Sequence, residues 1–180
     1  MNITVFGGAQ PKPGEPAYEE ALKLGRLLGQ AGHTVLTGGY IGTMEAVSRG
    51  AAESGAHVVG VTCEEIERWR SVRANDWVKE DRHFATLDLR LKALIDGCDA
   101  AIALPGGVGT LAEISLMWNR MIVESLPKRP LILVGDGWQA VFTSFGNHLG
   151  SYTPEHHRRL LTHAADIESA FATIQSIFTH

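Results

Sequence analysis

The run Ala100-Ala101-Ile102-Ala103-Leu104-Pro105-Gly106-Gly107-Val108-Gly109-Thr110-Leu111-Ala112-Glu113 decides how this chain is read. An apolar strand over Ala100 to Leu104 breaks at a proline into three glycines within four residues. A helix is expected to begin at Thr110, with Leu111, Ile114, Trp118 and Met121 as its apolar stripe. Glycines at a strand-to-helix turn let backbone N–H groups approach a ligand closely, and a helix N-terminus favours an anion. The segment therefore predicts a phosphate cradle formed by Gly106, Gly107, Val108, Gly109 and Thr110, with the carboxylate of Glu113 one helical turn beyond.

The pattern around that stretch is an alternation of short strands and helices, the mark of a mostly parallel sheet covered on both faces. Strands are expected at Asn2 to Phe6, Thr34 to Thr37, His57 to Thr62 and Pro130 to Val134. Tyr18, Ala21, Leu22, Gly25 and Leu28 recur at helical spacing, and Gly25 is expected to pack against the sheet. Further helices are marked by Met44, Val47 and Ala51, by Leu87, Leu91, Leu94 and Ile95, by Trp138 to His148, and by Ile167, Ala170, Phe171, Ile174, Ile177 and Phe178. Between Cys63 and Asp81 the expectation is a helix followed by an irregular, charged excursion bearing Trp69 and Trp77. That excursion is where substrate selection is expected. The fold class is α/β, one doubly wound domain over residues 1–180.

Composition narrows the function classes. A net charge of −4 over 180 residues, with no long basic block, argues against a nucleic-acid surface. No stretch approaches the ~20 apolar residues of a membrane span, and no signal-like start is present, so a cytoplasmic protein is expected. Cys63 and Cys98 have neither metal-ligand nor redox spacing and are expected as reduced structural thiols. The histidines, His156-His157 included, lack zinc-site spacing, so no metal is expected. Glu64, Glu65 and Glu67 read as a solvated helix face, and Trp118 and Met121 as core or interface.

Two other strand ends carry glycines: Gly7-Gly8 and Gly38-Gly39-Tyr40-Ile41-Gly42-Thr43. In a doubly wound sheet, ligands bind outside the carboxyl ends of the strands. Gly8, Gly38, Gly39, Gly42 and Thr43 are therefore expected to join the cradle around one phosphorylated ligand. The first turn lacks G-x-G-x-x-G and there is no G-x-x-x-x-G-K-[ST] loop, which sets aside dinucleotide and P-loop readings.

Pro105 to Glu113 resembles the P-G-G-x-G-T-x-x-E signature of the Lonely Guy (LOG) family, proteins long mislabelled as lysine decarboxylases. Phe6-Gly7-Gly8 with Pro16-x-Tyr18, Gly38-Gly39-x-x-Gly42-x-Met44 and Arg129-Pro130-Leu131 are similar to other family positions. The resemblance implies a Rossmann-like fold, a homodimer, no cofactor, and release of free base from a purine nucleoside 5′-monophosphate, often a cytokinin. It places the catalytic pair on Arg90 and Glu113. The sequence departs from the family at the residues around that arginine: Leu91 stands where lysine is usual, and Leu87-Asp88 where Met-His is usual. Gly42 to Ala51 looks closer to relatives that carry nucleotides or molybdenum cofactor, which keeps a non-catalytic carrier as the alternative. Thr110-x-x-Glu113 is also the spacing of a capping box, so Glu113 reads either as catalyst or as helix cap.

Overall fold

The computed structural model describes residues 1–178. Seven strands form one sheet in the order β4-β3-β2-β1-β5-β6-β7, and every adjacent pair is parallel. The strands are β1 (Asn2–Phe6), β2 (Thr34–Thr37), β3 (Val58–Cys63), β4 (Glu80–Phe84), β5 (Ala100–Ala103), β6 (Leu131–Val134) and β7 (Leu161–Ala164). Between them run α1 (Pro16–Gln30), α2 (Thr43–Glu53), α3 (Glu64–Arg70), α4 (Leu87–Asp96), α5 (Val108–Ile122), α6 (Asp136–Leu149), α7 (Glu155–Arg158) and α8 (Ile167–Phe178). This is the doubly wound, Rossmann-like arrangement. The strand order reverses between β1 and β5, so their carboxyl ends open a crevice. The side chain of Phe178 and residues 179–180 lie outside the described part.

Side-chain alternation along the strands builds two cores. Ile3 and Val5 of β1 join Val35, Ala100 and Ile102 in the core beneath α1, α2 and α8. Phe6, Leu36, Val59, Val61 and Ala103 face the other way, into a core with Leu94, Ile114, Met117 and Trp118 of α4 and α5. Trp118 and Met121 are thus core residues, as is Cys98, whereas Cys63 is buried at the end of β3. Gly25 does not pack against the sheet as expected. A Cβ there would fall 2.2 Å from the Val47 carbonyl oxygen, so its bareness lets α1 and α2 cross at backbone contact.

The inner elements follow the sequence pattern, whereas both edge strands depart from it. β4, Glu80-Asp81-Arg82-His83-Phe84, was expected to begin as irregular chain. It is held by pairing to β3 and by the Thr62 hydroxyl, which lies 2.6 Å from Asp81 Oδ1 and 2.9 Å from His83 Nδ1. β7 likewise pairs only with β6. Edge strands need no continuous apolar run, because one side faces water. No helix among the described residues is long and apolar enough to cross a membrane.

Candidate active site

The helix that follows the opening stretch begins at Val108, two residues before Thr110, with Gly107 as its N-cap and no side-chain cap. The capping-box alternative therefore fails: Thr110 sits inside the first turn and Glu113 in the second, where it cannot reach back to a helix-start amide. The first intrahelical bond is Leu111 N–H to the Gly107 carbonyl at 3.0 Å, which leaves the amides of Val108, Gly109 and Thr110 without an intrahelical partner. They open onto a cavity of about 920 Å³ at the β1/β5 crevice. Its wall on this side is Gly106, Gly107, Val108, Gly109 and Thr110, facing Gly7 and Gly8 at the end of β1. Gly8 N–H donates to the Pro105 carbonyl at 3.3 Å and ties the two turns together.

The glycines of the second turn do not line the cavity; they stand behind it. A Cβ on Gly38 would lie 2.1 Å from Arg90 Nη2. One on Gly42, where φ is +76°, would lie 2.5 Å from the Gly8 carbonyl oxygen. Thr43 donates both its backbone N–H and its hydroxyl to that same carbonyl, each at 2.9 Å. Gly38, Gly39, Gly42 and Thr43 thus shape the site from outside the lining, and the turn's own contributions to the wall are Tyr40 and Met44. The sequence marked Met44 only as a helix residue and family position and gave Tyr40 no role in the site. The one available signal was an aromatic set between the glycine pair and Gly42.

Arg90 on α4 and Glu113 on α5 come together, although they are 23 positions apart with β5 between their helices. Arg90 Nη1 lies 3.7 Å from Glu113 Oε1, and both side chains are buried. The guanidinium is fixed in place by Nε donating to the Val61 carbonyl at 2.7 Å and Nη2 donating to the Gly38 carbonyl at 3.2 Å. It also sits 5.6 Å from the Tyr40 ring centre, in cation–π range. Tyr40 is itself locked: its hydroxyl donates to the Cys63 carbonyl at 3.1 Å and accepts from the Cys63 amide at 2.8 Å. Burial pushes that phenol up to about 12. Burial likewise pushes the Glu113 carboxyl up to about 7, and the nearby Arg90 charge only partly offsets this. The result is a carboxylate of raised basicity on the cavity floor, held beside a cation that cannot swing away.

The third side of the cavity comes from α3 and the start of α4. Glu65 is not merely a solvated residue: it lines the cavity and accepts from the Leu87 amide at 2.8 Å, capping α4. Ile66, Trp69, Leu87 and Leu91 give this wall an apolar character. Trp77 is absent from it, standing instead 5.5 Å from the Arg49 guanidinium on α2. The excursion between α3 and β4 is pinned by Asn75, whose amide donates to the Gly39 and Tyr40 carbonyls, each at 2.9 Å. Among the described residues no cluster of three or more His, Cys, Asp or Glu is placed to hold a metal ion.

Two contacts from the last third of the chain reach this site from behind. The Arg129 guanidinium donates to the carbonyls of Ile95 and Asp96 at 3.2 Å each, and to that of Cys98, closing the C-terminal end of the helix that carries Arg90. Trp138 Nε1 donates to the Leu104 carbonyl at 3.0 Å, just before the proline that starts the cradle.

Comparison with known proteins places this geometry. The model of the SLOG cluster4 family matches residues 1–123. A cytokinin riboside 5′-monophosphate phosphoribohydrolase from Rhodococcoides fascians is 31% identical over 190 aligned positions, covering 97% of this chain and 89% of the relative. One from Oryza sativa subsp. japonica is 34% identical over 148, covering 79% of this chain and 59% of that one. Among solved structures, the molybdenum cofactor binding protein from Rippkaea orientalis superposes with a TM-score of 0.76 at 25% identity, covering 98% of this chain and 96% of that one. The chain belongs to the SLOG cluster4 family and to the LOG group of phosphoribohydrolase relatives whose signature it carries from Pro105 to Glu113.

Proposed function

We propose that the protein hydrolyses the N-glycosidic bond of a purine nucleoside 5′-monophosphate, giving free base and ribose 5-phosphate. The observation that carries this reading is the Glu113 carboxylate, buried beside the fixed Arg90 guanidinium on the floor of a cavity rimmed by free backbone amides. In the proposed reaction the 5′-phosphate sits on the amides of Gly107 to Thr110, and that remote binding positions the ribose. Glu113 draws a proton from water as its oxygen bonds to C1′ and the bond to the base breaks. The base departs with one proton, which regenerates the carboxylate. Positive charge built on the ribose is stabilised by the same carboxylate. Arg90 holds Glu113 in position, since its other nitrogens are committed to Val61 and Gly38. The homodimer implied by the family is part of this proposal.

A second reading is a nucleotide or molybdenum-cofactor carrier, favoured by the likeness to the Rippkaea orientalis protein and by Leu91 in place of the family's lysine. Incubation with AMP and with isopentenyladenine riboside 5′-monophosphate separates the two. The hydrolase reading expects free base from the wild type and at least a hundredfold loss in Glu113→Gln and Arg90→Ala, the scale of general-base catalysis. Tight binding without release of base would replace it with the carrier.

A further inference from the structure

We propose that Trp69 is the stacking platform for the leaving base, the residue through which this site selects a planar, aromatic group; the proposal rests on the nucleotide reading above. The argument begins with an anomaly of burial. Trp69 lines the cavity yet is 74% exposed, while Trp118 and Trp138 are buried to below 10% exposure. An indole left open to water forgoes the burial that normally offsets its size. Its only ring contact among the described residues is the Arg70 guanidinium, 4.5 Å from the ring centre. Such a cation covers one face, and an exposure this large leaves the rest of the ring free.

The helix that carries Trp69 is anchored at its start and, through Glu67, to His83 of β4 at 3.6 Å, and the chain is pinned again only at Asn75 beyond its end. At its start, Cys63 is clasped by the Tyr40 hydroxyl and Glu65 caps α4. None of its seven residues is buried, and it stops at Ser71 in a left-handed conformation with φ +52°. Trp69 and Arg70 therefore sit on the exposed last turn of a short helical arm that borders the cavity.

Topology fixes what should meet that arm. The phosphate cradle lies at the ends of β1 and β5, and Arg90 bonds to the carbonyls of Gly38 and Val61, at the ends of β2 and β3. The arm follows β3, two strand spacings or roughly 10 Å from β1. Cradle, Arg90–Glu113 pair and Trp69 thus follow one another along the carboxyl edge of the sheet. A nucleotide with its phosphate in the cradle and its ribose at Glu113 directs its base toward α3. Base-on-indole stacking tolerates sequence and substituent, because every base has a π-face.

The test uses equilibrium binding in a Glu113→Gln background, where turnover does not intervene, with AMP and ribose 5-phosphate as probes. Trp69→Ala is expected to weaken AMP at least fivefold while leaving ribose 5-phosphate within twofold, and Trp69→Phe to retain AMP within threefold. AMP, but not ribose 5-phosphate, should quench the emission that Trp69→Phe removes. Equal loss for both ligands, no loss for either, or no binding of AMP by the parent protein overturns the proposal. Failure of the hydrolase reading registers separately, as absence of free adenine from the wild type while this binding pattern stands.

Discussion

The molecule contains two glycine turns that look alike in sequence and do opposite work. In Gly106-Gly107-Val108-Gly109, the positions of Gly107 and Gly109 have nothing within 4 Å of where a Cβ would stand. In Gly38-Gly39-Tyr40-Ile41-Gly42, such an atom would strike Arg90 Nη2 at 2.1 Å or the Gly8 carbonyl at 2.5 Å. In the first turn Gly107 and Gly109 leave open space toward the cavity, and only Gly106, whose Cβ would fall 2.2 Å from Thr110 Oγ1, is crowded by the chain itself. The second is bare so that the chain can come close to itself. A glycine-rich turn at the edge of a doubly wound sheet is therefore not by itself a ligand contact, and the crowding of the missing Cβ tells the two uses apart.

That contrast can be broken by substitution. The largest effect is expected at Gly38→Ala. The new methyl needs the space held by a guanidinium that two carbonyls fix, so Arg90 must move off Glu113. Base release should fall at least a hundredfold, matching Arg90→Ala. Near-normal turnover would show that Arg90 can act from elsewhere. Next comes Gly42→Ala, which combines a left-handed φ of +76° with a backbone clash. About 3 kcal/mol or more of stability should be lost, read as a fall in urea midpoint.

A third effect is electrostatic. Glu113 holds its proton up to about pH 7 in the folded protein, against an ordinary carboxyl near 4.5 when unfolded. Between those values the folded state binds more protons than the unfolded state, so stability falls as pH rises. The loss from this group is on the order of 3 kcal/mol from pH 4.5 to above pH 7. Glu113→Gln should flatten that slope in urea titrations, while wild-type base release should climb through the same range as the base ionises. A wild type with unchanged slope would place Glu113 in wetter surroundings. The smallest effect belongs to the open turn: Gly109→Ala, on the first turn of α5, should leave the fold unharmed or up to about 1 kcal/mol more stable. It should nonetheless weaken ribose 5-phosphate, measured by calorimetry. Stability and binding moving in opposite directions at Gly109, and together at Gly42, is the signature of the contrast.

The same distinction explains what the sequence disclosed. β1, β2 and β5 are buried on both faces, so their apolar runs stand out, and the signature from Pro105 to Glu113 located the cradle and its acid. Arg90 was found through family resemblance; its position beside Leu91 looked like any snorkelling arginine. Its bonds to Val61 and Gly38 are long-range and leave no local mark. β4 and β7 were missed because an edge strand needs only backbone pairing, and Asp81 to His83 in the middle of β4 are polar and exposed. The early start of α5 was hidden because a glycine N-cap offers no side chain to recognise. Tyr40 was hidden for a related reason: its clasp on Cys63 joins a turn to the end of a strand 23 positions away.

Arg129 carries a last consequence. The family model ends at residue 123, and a boundary drawn there encloses the cradle, Arg90 and Glu113. Yet the guanidinium that closes the far end of α4, and the indole that holds the Leu104 carbonyl, both come from beyond it. The matched segment thus leaves out two side chains that brace the elements around the cavity. Expressed alone, it would keep every residue of the signature and lose the two fastenings on the helix that carries Arg90 and on the strand end before Pro105.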